Sequence, residues 1–158
     1  VISGGLGSSA DSADGGDGGD VIITAGAALG NNNATDEGGA IFVSAGDASA
    51  ATGGGVIMMT GYSNATSSGS MALGTADSGF YGVSGSISSF TGNSSAGDSG
   101  AISFSTGTAT EGAGGDISLS VGSGNTGNGG DIVATAGSTT ALDSLGGDIV
   151  MTGGWADS

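Results

Sequence analysis

Apolar residues along this chain fall into repeating columns. One template recurs: a glycine, a small or acidic residue, then apolar, any, apolar, any, small and glycine. Its leading glycines are Gly19, Gly39, Gly54, Gly69, Gly85, Gly100, Gly115, Gly130 and Gly147, spaced 15 to 20 residues apart. The second position after each leading glycine is apolar in all nine copies: Val21, Ile41, Val56, Met71, Ile87, Ile102, Ile117, Ile132 and Ile149. The fourth is mostly apolar (Ile23, Val43, Met58, Leu73, Phe104, Leu119, Met151), with Ser89 and Ala134 as exceptions. The sixth is mostly small, from Ala25 and Ala45 through Thr60, Thr91 and Thr106 to Gly153, with Val121 the largest. Alternate positions facing one way are the pattern of a strand. The opposite face carries Thr24, Ser44, Ser105, Ser118, Ser120, Thr135 and Thr152, interrupted by Ile22, Phe42 and Phe90.

Each copy therefore predicts one strand of about six residues bounded by glycines that supply turn conformations. About eight residues of Ser, Thr, Asn, Asp, Ala and Gly separate successive strands, and no helical period is found. One such strand cannot bury its apolar face alone. Stacked copies at about 4.8 Å per rung would align the Ile column into a ladder. The expectation is an all-β, elongated β-solenoid of about 15-residue repeats with one strand per rung, spanning residues 1–158 as one segment. The small sixth column suggests a thin cross-section. An antiparallel meander fits the same period. The fourth copy breaks the template, with Ala76 where the others close on glycine. The stretch from Gly74 to Gly85 and the loop from Gly26 to Gly39 are expected to bulge.

Composition narrows the function. The 158 residues hold 15 Asp and Glu and no Lys, Arg or His, a net charge of −15. A phosphate backbone finds no counter-charge here, which excludes nucleic-acid binding. An anionic membrane surface gains nothing either. No apolar run approaches the length of a membrane span. The absence of Cys removes disulfides and thiolate metal sites. Leu, Ile, Val and Phe are scarce, as in disordered chains, but their columnar order argues against that class. Pro is absent, as expected where nearly every backbone N–H is needed. No leader pattern opens the chain, and Val1 to Gly4 reads as the end of an earlier copy. Neither end carries a polar capping repeat, so the array is expected to continue into further repeats or to stack on copies of itself.

Three sets of residues are candidates for chemistry. Asp20, Asp116, Asp131 and Asp148 follow leading glycines, where a turn carboxylate either accepts backbone N–H groups or contributes to a calcium site. Asp11, Asp14, Asp17 and Asp20 form the densest acidic run. Asn33, Asn64 and Asn93 begin N-glycosylation sequons in loops. Without His, Cys or Lys, catalysis would fall to carboxylates such as Asp36, Glu37 or Glu111, in no apolar setting. No enzyme is expected.

The Gly-Gly-Asp-Ile rungs at Gly115 to Gly122 and Gly130 to Gly137 resemble Gly/Ser/Thr-rich repeat proteins of algal and diatom secretomes. They are also similar to β-solenoid repeats of surface adhesins. The four Gly-Asp turns resemble, in part, calcium-binding RTX repeats, whose period is shorter. These resemblances imply an extracellular structural role: a filament, fibril or surface layer built from copies of the chain, with glycans where the sequons are used. The alternative is a calcium-stabilised adhesin or an ice-binding module. Met59 and Phe90 interrupt the Thr/Ser column that ice binding would need.

Overall fold

The computed structural model describes residues 1–9, 15–32 and 34–156. Two units divide the chain, Val1–Ala76 and Asp77–Ser158. The boundary follows Ala76, the residue at which the repeat template loses its closing glycine.

The period-2 pattern appears in how each copy is exposed. Second-column residues, from Val21 to Ile149, are 49–62% exposed. Apolar residues on the other face, such as Ile22, Phe42, Ile57, Met59, Phe90 and Val150, are 79–91% exposed. The second column is thus the most covered, whereas fourth-column residues on the same face, from Met58 at 66% to Met151 at 91%, are nearly as open as the opposite face.

The expected β-solenoid does not form. Among the described residues there is no strand, no sheet and no helix. Successive copies instead meet at the loops between them. The Gly39 N–H donates to the Gly26 carbonyl at 2.9 Å, Gly54 to Gly46 at 2.9 Å, Gly69 to Gly61 at 3.0 Å and Gly147 to Gly137 at 2.9 Å. Each bond joins the closing glycine of one copy to the leading glycine of the next. Gly19 reaches back to Gly5 in the same way, at 2.8 Å.

The direction of these approaches excludes in-register parallel stacking at the loops. A Cβ on Gly54 would meet Ala45 Cβ at 3.2 Å, and one on Gly53 would meet the Gly46 carbonyl at 3.6 Å. As one segment advances the other retreats, so the chain turns back on itself. Residues 4–9 and 16–19 do the same, with Gly4 against Gly19 and Gly7 against Gly16. Parallel rungs would place leading glycine over leading glycine. A reversal closed by a single backbone hydrogen bond is a loop with joined ends, of the Ω type, and it does not amount to a ladder.

The small sixth column has its explanation in the same closures. Leading Gly39, Gly54, Gly69, Gly100, Gly115, Gly130 and Gly147 lie against Ala25, Ala45, Thr60, Thr91, Thr106, Val121 and Ala136 respectively, the sixth residue of the copy before. A Cβ on Gly130 would fall 2.9 Å from Val121 Cγ1. Small residue and glycine are needed at the mouth of a loop. They do not report a thin rod.

No residue among those described is buried. The chain exposes 15464 Å². A compact chain of this mass exposes about 6,800 Å², and two compact halves together about 8,200 Å². Neither unit encloses a core.

Candidate functional site

Local hydrogen bonds shape the loops from within. In the loop from Gly26 to Gly39, the Asp36 carboxylate accepts the Asn32 N–H at 2.9 Å, and Asn32 Oδ1 accepts the Ala34 N–H at 3.1 Å. The Asp36 N–H returns to the Asn32 carbonyl at 2.9 Å. A Cβ on Gly30 would strike the Asp36 carboxylate, so glycine leaves room for it. In the loop from Gly61 to Gly69, Ser63 Oγ accepts the Ala65 and Thr66 N–H groups and lies 3.0 Å from Thr66 Oγ1. Thr139 Oγ1 accepts the Ala141 N–H. These are side chains standing in for backbone partners, the usual work of Asn, Asp, Ser and Thr in turns.

In the second unit the loops share a further feature. Gly82, Gly97, Glu111, Gly127 and Asp143 have positive φ, and each lies three or four residues before the next leading glycine. Glycine takes this conformation without strain. Glu111 (φ 63°) and Asp143 (φ 58°) hold it with a side chain.

Among the candidate calcium residues, Asp20 lies in the first unit and Asp116, Asp131 and Asp148 in the second, all exposed. No three carboxylates converge among the described residues. Asp11 and Asp14 lie outside the described residues, so the acidic run is described only at Asp17 and Asp20. Of the sequons, Asn33 also lies outside them. Asn64 and Asn93 are exposed in loops, and Thr66, which completes the first of these sequons, shares the Ser63 hydrogen bonds.

The chain has no His, Cys, Lys or Arg to act as base, nucleophile or electrophile. Asp36 is occupied within its own loop, and Glu37 and Glu111 stand in solvent. Among the described residues no helix is long and apolar enough to cross a membrane.

What the sequence reading missed is a concentration of apolar side chains. In the first unit, Val21, Ile57, Met58, Met59, Met71 and Leu73 line one groove. Three of the chain's four methionines are among them. A signal was present in the charges: no ionisable side chain other than Tyr62 occurs between Asp47 and Asp77. The second unit has a smaller groove lined by Phe104, Ile117 and Leu119 together with Ser103, Ser105 and Asp116.

Comparison with protein-family models, with curated proteins and with solved structures found no match.

Proposed function

We infer that the chain is a structural segment of an extracellular fibre or surface layer, joined to further copies of itself through its apolar columns. The observation that carries this reading is the second column. Nine apolar side chains recur at one template position, and each is about half exposed. A chain that leaves such a column open gains free energy when a like surface covers it, at about 25 cal/mol per Å² of apolar area. A second copy presents the same column at the same spacing, so a match at one position repeats along the chain.

The charge permits association only where salt screens it. Copies carrying −15 each repel at low ionic strength. At physiological salt the screening length falls to about 8 Å, which leaves contact at neutral surfaces favourable. Sequons at Asn64 and Asn93 lie on exposed loops, where a glycan acceptor must be.

Sedimentation of the full chain at low and high salt, with electron microscopy of the high-salt material, tests the reading. Large, regular assemblies that grow with salt are expected. A monodisperse monomer under both conditions would refute it.

A further inference from the structure

We propose that copies meet first through the methionine-lined groove of the first unit, and that oxidation of its methionines by a peroxide releases them. The proposal rests on the self-associating role inferred above and names the contact and its control.

The occupant follows from charge. Any partner copy brings fifteen carboxylates and no cation, so a contact that includes carboxylates on both sides is repulsive and has nothing to pair. Residues 48–97 carry a single carboxylate, Asp77, while seven lie before them and seven after. Ile57, Met58, Met59, Met71 and Leu73 of the groove fall inside this neutral stretch; Ile2 and Val21 reach it from outside, Val21 directly after Asp20, and no charged residue itself lines it. The groove of the second unit includes Asp116 and lacks that property. The first groove is therefore where two like copies can close on each other without burying an unpaired charge.

The control follows from the residue type. Met58, Met59 and Met71 are 66, 85 and 59% exposed, so their sulfurs are open to a small oxidant. In the reaction the thioether sulfur attacks the peroxide, the O–O bond breaks, one oxygen bonds to sulfur, and water leaves. Sulfur is oxidised by two electrons and the peroxide is reduced. The product is a polar sulfoxide in place of a flexible apolar side chain. Covering it in a second copy's apolar groove costs what its lost water contacts were worth. A sulfoxide reductase restores the thioether, so the change is reversible.

The test uses the full chain at a salt concentration where it associates. Hydrogen peroxide is added until mass spectrometry shows one oxygen on each methionine, and sedimentation follows association. Oxidation is expected to weaken association by at least about tenfold, a change of about 1.4 kcal/mol. The Met58→Leu/Met59→Leu/Met71→Leu variant, compared with itself before and after peroxide, should lose the response whatever affinity it starts from. Met151→Leu should keep the response. Parent chains that associate equally well after oxidation overturn this proposal and leave the structural reading standing, as does a triple variant that still responds. A parent chain that never associates overturns both.

Discussion

If the apolar columns are covered only by other copies, the isolated chain has little to unfold, and dilution is the perturbation that exposes this. The fully extended chain of this mass would expose about 20,700 Å², so the structure removes about 5,300 Å² from water. A compact fold would remove about 12,500 Å² even as two separate halves. The ratio is about two-fifths. Since the urea m-value scales with surface exposed on unfolding, and small proteins show about 1–3 kcal/mol per molar, the dilute chain should give about 1 kcal/mol per molar or less. Its transition should be broad. At high salt and rising concentration, the midpoint should climb, because association stabilises whatever state it binds. The assay is far-UV circular dichroism against urea, at several protein concentrations spanning the range in which sedimentation detects assembly. A steep transition whose midpoint ignores concentration would mean that the single chain covers its own columns. The argument from exposed area would then fail.

Three further outcomes follow. Ile117→Asp and Ser118→Asp add the same charge; the first should cost about 1 kcal/mol, because Ile117 is 55% exposed and forfeits only its covered half, while the second should cost close to nothing, as read from urea midpoints. Equal costs would mean that the two faces are wrongly assigned. Glu111→Gly should stabilise by up to about 1 kcal/mol, since relief of the left-handed backbone exceeds the added freedom of the unfolded chain, whereas Gly127→Ala should destabilise by about 1–2 kcal/mol; the reverse order in urea midpoints would refute the loop geometry. EDTA should leave the circular dichroism spectrum unchanged, since five of nine copies lack the turn Asp and no three described carboxylates converge; collapse of the spectrum would establish calcium as a structural ion.

The sidedness of each copy was legible in the sequence because period-2 alternation reports a local property. An extended segment places alternate side chains on opposite faces whatever its neighbours do. The loops were legible for a similar reason: Asn32, Ser63 and Thr139 carry the side-chain acceptors that turns use. The template's break at Ala76 also coincides with the boundary between units. How copies meet was not legible. A 15-residue period is satisfied both by parallel rungs and by a chain that reverses at each loop. Small residues at the sixth column fit a narrow rod as well as they fit a loop mouth. Only the closures, such as Gly54 against Ala45 and Gly46, separate the two. The positive φ at Glu111 was hidden because Glu rarely takes it; at Asp143 the residue type allows it, and Gly82, Gly97 and Gly127 hold it at equivalent loop positions.

The same closures connect local chemistry to association. Joining the last glycine of one copy to the first of the next holds the ends of each loop together with one hydrogen bond, worth about 1 kcal/mol net. It requires small residues at the mouth, so that part of each copy contributes no apolar area. The apolar area is left in the middle of the copy, at the second and fourth columns, where the closure does not reach and, among the described residues, no strand pairs with it. Where the sixth residue is larger the facing position must stay glycine: a Cβ on Gly130 would stand 2.9 Å from a Val121 methyl. The loop closures therefore leave the columns open. A surface repeated at the same spacing can cover them, and another copy of the chain carries that surface.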